Sequence, residues 1–251
     1  MGRSARSKPL DATDVHLWMV EPHRLDEDAL LRRYEALLDE AELRRMHAFR
    51  FERHRREYLV TRALVRTTLS RYREGAPEAW RFRTNEYGRP TLEDPDGLYF
   101  NLTNHPTMVV CAVAGHLDVG VDVEPLDRAD DILGVAPTVF SPMELRELGS
   151  LSGDARRDRA LSLWTLKEAY IKARGMGLSL PLAGFSFRFG EGHPEITFHD
   201  GISDDVDRWA FRILDLAEHR IAVAFGGPGA RRLRLRATRT VPLVGDALPE
   251  G

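Results

Sequence analysis

From His23 to Glu74 the chain contains neither glycine nor proline, a run too long for anything but helix. Within it Leu30, Leu31, Tyr34, Leu37 and Leu38 keep helical spacing, and so do Tyr58, Val65, Leu69 and Tyr72. The spacing predicts helices over about 26–38 and 52–73 with a shorter one between them, the second stopped at Gly75-Ala76-Pro77. The pattern then shortens: Trp80–Arg83, a turn at Tyr87-Gly88-Arg89-Pro90, and strands at Leu98–Leu102, Met108–Ala114 and Val119–Glu124. A second helical stretch over Leu161–Arg174 leads to a strand at Phe185–Arg188 and a turn around Gly192-His193-Pro194. Further strands are expected near Glu195–Phe198, Trp209–Leu214 and Arg220–Ala224.

The second half thus repeats the plan of the first, with Phe185–Arg188 answering Arg81-Phe82-Arg83 and Ile221–Phe225 answering Val109–Val113. The expectation is an α+β protein of two similar α/β halves related by a pseudo-two-fold, each a small antiparallel sheet with helices packed on it. The division expected is 1–118, 119–226 and a flexible tail at 227–251, the tail rich in arginine, glycine and proline. If the halves pack face to face, the crevice between them is the natural ligand site.

Composition narrows the function. With 43% hydrophobic residues in 251, each half has enough apolar material for a core. A formal net charge of -3 lacks the basic excess of a general nucleic-acid or anionic-membrane binder. Cys111 is the single cysteine, which excludes an internal disulfide or a cysteine-rich zinc site, and the apolar run around it makes it a buried strand residue. No stretch approaches the roughly 20 apolar residues of a membrane span, and the basic start has no apolar core behind it, so no secretory signal is read there. A soluble cytoplasmic protein is the expectation. Of the 36 Lys and Arg residues only Lys8, Lys167 and Lys172 are lysine, so two lysines within six residues of each other stand out.

Two segments carry candidate chemistry. In Val119-Gly120-Val121-Asp122-Val123-Glu124 the valines alternate with Gly120, Asp122 and Glu124, so a strand projects both carboxylates from one face. Two carboxylates side by side need positive charge between them, and a hard cation such as Mg²⁺ with oxygen ligands is one answer. A solvated strand face is the other reading. In the second segment Trp164, Glu168 and Lys172 recur every four residues along one helix face, with Gly175 and Gly177 ending the helix. Glu168 and Lys172 also have the order of an ordinary surface pair.

Together with Phe100-Asn101-Leu102-Thr103 and Phe140-Ser141-Pro142-Met143-Glu144-Leu145, these segments resemble the Sfp-type 4'-phosphopantetheinyl transferase family. Its pattern runs FN-x-SH, (V/I)G(V/I)D(V/I)E, FS-x-x-E and W-x-x-KE-x-x-x-K-x-x-G-x-GL, and the order and approximate spacings agree over about Tyr87 to Leu182. One departure is plain: where the family has Ser-His, this chain reads Thr103-Asn104-His105.

The resemblance implies transfer of the 4'-phosphopantetheine arm of coenzyme A to a serine of an apo acyl or peptidyl carrier protein, leaving adenosine 3',5'-bisphosphate. It implies Mg²⁺ on Asp122, Glu124 and Glu168, with Glu168 (directly or through a water) and Lys172 as the catalytic pair. For coenzyme A it implies Thr103, Asn104 or His105, Lys172 and Arg89, and more loosely Arg45, Arg55 and Arg62, for which a solvated helix face competes. Glu144 is read both as an orienting acid and as half of a helix capping box with Ser141. Carrier and coenzyme A are the implied partners of a monomer, with no nucleic acid or membrane. The competing readings are a coenzyme A-binding module without transfer activity and a Mg²⁺-dependent nucleotidyl transferase or nuclease.

Overall fold

The structure is a computed structural model in which residues 10–246, other than 200, 203 and 217, are described. The chain divides into two compact units. Unit 1 is Met1–Arg83, Pro90–Gly115 and Arg234–Gly251; unit 2 is Thr84–Arg89 and His116–Leu233.

Unit 1 opens with strand β1 (Asp14–Val20), followed by helices α1 (Asp28–Glu35), α2 (Glu40–Ala48) and α3 (Glu52–Leu69). These three match the expected helical run, and its interruptions have local causes. Asp39 forms a capping box with Glu42 that starts α2 afresh, and Phe49 and Phe51 stand extended on either side of the break before α3. After the short pair β2 (Phe82–Thr84) and β3 (Pro90–Leu92) come β4 (Tyr99–His105) and β5 (Met108–Ala114), an antiparallel hairpin. Every residue of β5 is buried, as its unbroken apolar run demands of a strand covered on both faces.

The rest of this sheet comes from the far end of the chain. Strand β11 (Arg234–Val241), extended by β12 (Gly245–Asp246), pairs parallel to β1, which itself runs antiparallel to β5. The order is β12-β11-β1-β5-β4, a mixed sheet. Residues 227–251 were expected as a flexible tail; 247–251 lie outside the described residues, but in the described part Arg234 Nε bonds Asp14 Oδ1 at 2.7 Å and Asp14↔Arg234 through Met19↔Arg239 are in register. Packed on the sheet, α3 contributes Leu59, Val60, Ala63, Leu64 and Leu69 to a core with Trp18, Tyr34 and Phe100. The polar ends inside it are matched: Trp18 Nε1 donates to Tyr72 Oη at 2.7 Å, and His16 Nδ1 meets the same oxygen at 2.7 Å.

Unit 2 is built on the antiparallel sheet β6 (Val119–Pro125), β10 (His219–Gly226) and β9 (Trp209–Leu216), ordered β6-β10-β9. Beside it lie α4 (Ala129–Val139), α5 (Pro142–Ser150) and the pair β7 (Phe185–Arg188) with β8 (Glu195–Phe198). Helix α6 (Gly153–Arg174) packs on β6 and β10. Its buried residues, among them Leu161, Leu163, Leu166, Ala169 and Tyr170, join Phe140, Phe185, Phe187 and Phe211 in a second core. Tyr170 lies edge-on to Phe185 and Trp209, each centroid 4.9 Å away. Each unit is therefore α+β, helices on a small sheet, as the residue pattern predicts. Among the described residues no helix is long and apolar enough to cross a membrane.

Candidate active site

Helix α6 is exposed over its first turns and enclosed from Ala160 onward. Between residues 160 and 173 every side chain is buried except Trp164, Glu168 and Lys172, which are partly open. The four-residue repeat is thus the single stripe along which this part of the helix offers polar chemistry. Opposite it runs β6, where Asp122 and Glu124 share one face at 5% exposure each.

The strand and helix approach closely because Gly120 has no side chain. A Cβ there would meet the backbone of Ala169 and Ala173 and the Ala173 Cβ at 2.9 Å. That contact brings the two pairs of groups together: Lys172 Nζ donates to Asp122 Oδ1 at 2.6 Å. Glu124 Oε1 accepts from Trp164 Nε1 at 2.7 Å and from Arg128 Nη1. Burial pushes the Glu168 carboxyl above its ordinary range, the charge of Asp122 adds to this, and Lys172 opposes it. Three carboxylates and one ammonium therefore share a single electrostatic neighbourhood.

Sequence reading missed two parts of this arrangement. Arg128, four residues after Glu124, supplies its counter-charge; the arginine abundance of the chain hid it. Gly120 was read only as one of the residues alternating with the valines, although it is the point of contact.

The two lysines of α6 do different work. Lys167 is fully buried, pairs with Glu144 at 2.8 Å and donates to Leu182 O at 2.7 Å and Phe185 O at 2.6 Å. Burial pushes its ammonium down to about 8, against the pull of Glu144. Glu144 in turn closes the capping box of α5 by accepting from Ser141 N at 2.8 Å, and takes Phe187 N at 2.9 Å. Of its two expected roles the capping one is formed, and its charge is held by Lys167 rather than by a ligand.

Four expected cofactor contacts are placed differently. Arg89, expected to face phosphate, gives its guanidinium to the carbonyls of Ala173 (2.6 Å), Leu117 (2.7 Å) and Val119 (3.0 Å) within unit 2. Arg62 is neither on a solvated face nor open to a ligand: it is buried, paired with Glu42, and its Cζ stands 4.4 Å over the Phe82 ring. Asn104 Nδ2 donates to Glu57 Oε1, a partner that phosphate would repel. Arg55 Nε donates to Phe49 O at 2.9 Å and Nη1 lies 3.3 Å from Glu52. Of the remaining unit 1 candidates, Arg45 and His105 keep more open positions and Thr103 does not. Exposed Arg45 stands over Tyr58 at 5.6 Å, and Thr103 is buried on β4. His105 ends β4, its Nδ1 accepting from Thr107 N at 3.3 Å and lying 2.8 Å from Thr107 Oγ1.

A metal was expected on Asp122, Glu124 and Glu168. Among the described residues no group of three His, Cys, Asp or Glu side chains is arranged as a ready ligand set. The donors nevertheless fit a hard cation: all are carboxylate oxygens, and Mg²⁺ takes one or two of these and completes its shell with water and substrate phosphate. Lys172 and Arg128 hold the carboxylates' charge meanwhile.

Residues 118–224, which contain the whole of this constellation, match the model of the 4'-phosphopantetheinyl transferase superfamily. The chain is 34% identical over 170 residues to 4'-phosphopantetheinyl transferase HetI of a Nostoc species, covering 66% of this chain and 70% of that protein. It belongs to this superfamily. Over 130 residues it is 35% identical to 4'-phosphopantetheinyl transferase Sfp of Bacillus subtilis, where the match covers 52% of this chain and 57% of the relative's length. Among solved structures, the holo-(acyl-carrier-protein) synthase of Bacillus anthracis in complex with coenzyme A (3',5'-ADP) aligns with a TM-score of 0.36 at 19% identity, over 43% of this chain and 93% of that one.

Proposed function

We propose that this phosphopantetheinyl transferase moves the 4'-phosphopantetheine arm of coenzyme A onto a serine hydroxyl of an apo acyl or peptidyl carrier protein, working as a cytoplasmic monomer. The observation that carries the reading is the pairing of the β6 carboxylates with the exposed stripe of α6, inside the segment that matches the superfamily. The new bond forms between the serine oxygen and the phosphorus that bears the pantetheine arm. The bond from that phosphorus to the bridging oxygen breaks, and adenosine 3',5'-bisphosphate leaves. The nucleophile belongs to the carrier, so the enzyme's own groups position, neutralise and move a proton.

Asp122, Glu124 and Glu168 would hold Mg²⁺, which when bound supplies positive charge against the pyrophosphate oxygens. Glu168 stands partly open between strand and solvent and accepts the serine proton at a carboxylate oxygen, directly or through one water. Lys172 reaches the same place from one helical turn further on. Its ammonium has three donors, so Asp122 and a phosphate oxygen of the leaving group can share it. Trp164 and Arg128 hold Glu124 in a fixed orientation, which lowers the reorganisation needed when the phosphates arrive. His105 at the end of β4 and Arg45 on α2 are the coenzyme A contacts that keep open positions.

The test is transfer of a fluorescent coenzyme A analogue to purified apo carrier proteins with Mg²⁺ or with EDTA. Label on the carrier only with the metal supports the reading. Coenzyme A binding without label on any carrier replaces it by a binding module.

A further inference from the structure

The turn Asn85–Arg89 is bonded to the end of α6 more elaborately than a turn requires. Gly175 closes the helix with a left-handed φ of 65°, and its N–H bonds back to Ile171 O and Lys172 O. The last carbonyls of a helix need donors from elsewhere. Asn85 Nδ2 supplies one to Gly175 O at 2.7 Å, and Arg89 Nη1 supplies one to Ala173 O at 2.6 Å. The other arm of the same guanidinium, Nη2, donates to Leu117 O and Val119 O where β6 begins. Asn85 Oδ1 accepts from Tyr87 N and Arg89 N, which fixes the turn itself.

One side chain therefore ties the C-terminus of the helix that carries Glu168 and Lys172 to the N-terminus of the strand that carries Asp122 and Glu124. The packing is made for it: a Cβ on Gly175 would stand 2.9 Å from Arg89 Cδ. A cation at a helix C-terminus also complements the helix dipole. A planar, forked guanidinium can bond carbonyls on two elements at once, whereas an ammonium is a single point of charge.

We propose that Arg89 is a positioning residue of the transfer reaction, setting the separation of the β6 carboxylates from the α6 stripe through backbone carbonyls without touching coenzyme A. This rests on the transferase reading above. It differs from the phosphate contact that the Gly-Arg-Pro turn suggests, and the two make opposite kinetic predictions.

The experiment is steady-state kinetics with varied coenzyme A for Arg89→Met and Arg89→Lys, under conditions where circular dichroism shows each variant folded. A misplacement near 1 Å lowers kcat by about 100-fold, with KM for coenzyme A held within about two-fold in both variants. A raised KM with kcat preserved, restored by Arg89→Lys, would assign Arg89 to phosphate and overturn the proposal. Unchanged kcat and KM would overturn it too, leaving a clamp of no consequence for the chemistry. Should the Arg89 variants fail to fold, Asn85→Ala removes only the neighbouring bonds and is expected to show the same lowered kcat at constant KM; wild-type kinetics there would contradict the proposal. Mn²⁺ binding followed by electron paramagnetic resonance gives a readout without turnover. Weaker Mn²⁺ binding in Arg89→Met supports the clamp even if the wild type transfers nothing, a result that would refute the transferase reading alone. Equal binding in that case refutes the clamp.

Discussion

Gly120 stands where β6 passes closest to α6, and alanine there tests how tightly the active-site geometry depends on that approach. The added Cβ would lie about 1 Å inside the 3.0 Å separation that Cβ atoms keep, against the backbone oxygen of Ala169. Ala173 N is crowded as well, so no flexible side chain can yield. Strand or helix must move by about 1 Å in a core where β6 and α6 are buried along their shared length. Overpacking of this kind costs about 3 kcal/mol, the upper end of the usual range. With a urea dependence near 2 kcal/mol/M, that lowers the unfolding midpoint of unit 2 by about 1.5 M. The same displacement carries Asp122 and Glu124 away from Glu168 and Lys172, so kcat falls by about 100-fold in protein that is still folded. The control is Gly134→Ala in α4, where a Cβ meets nothing and helix propensity favours alanine by about 1 kcal/mol. Wild-type midpoint and turnover in Gly120→Ala would refute the reasoning.

Other consequences can be checked in the same assays. Asp122→Ala or Glu168→Ala should abolish transfer while far-UV circular dichroism stays as in the wild type; normal turnover in either would remove that residue from the site. Lys167→Met strands Glu144 in the core without its counter-charge and should cost about 3–5 kcal/mol in urea unfolding. Lys172→Ala, partly open to solvent, should lose turnover with a far smaller stability change. Asp215 titrates below the ordinary carboxylate range because Arg220 donates to it at both oxygens. Its contribution is therefore present above the unfolded-state value and lost as pH falls through the native one. Asp215→Asn should be less stable than wild type at neutral pH, with the gap closing in acid; a gap independent of pH would contradict the assignment.

The legible parts of this protein were those whose signal is local. Helical spacing over Leu30–Tyr72 placed α1 to α3, and the unbroken run Met108–Ala114 placed β5. The stripe Trp164, Glu168, Lys172 was readable because a four-residue repeat survives on a stretch of helix that is otherwise buried. What the residues could not convey were partnerships at long sequence separation. Strand β11 alternates Arg234, Leu235, Arg236 and Ala237 as a half-buried strand does, but its arginine content concealed that pattern, and its partner β1 lies some 220 residues away. Arginine abundance misled in the same way at Arg62, whereas at Arg89 it was the resemblance of the Gly88-Arg89-Pro90 turn that pointed to phosphate. A cation of this type is equally suited to a phosphate, a buried carboxylate such as Glu42 or a set of helix-end carbonyls, and only the fold chooses among them.

The central claim is that the β6 carboxylates and the α6 stripe form one metal-dependent transfer site. It is tested most directly by mass spectrometry of an apo carrier protein incubated with coenzyme A and either wild type or Asp122→Ala, each with Mg²⁺ and with EDTA. The account predicts that the carrier gains the mass of phosphopantetheine with wild type and Mg²⁺ alone. The same gain in EDTA, or with Asp122→Ala, would contradict it.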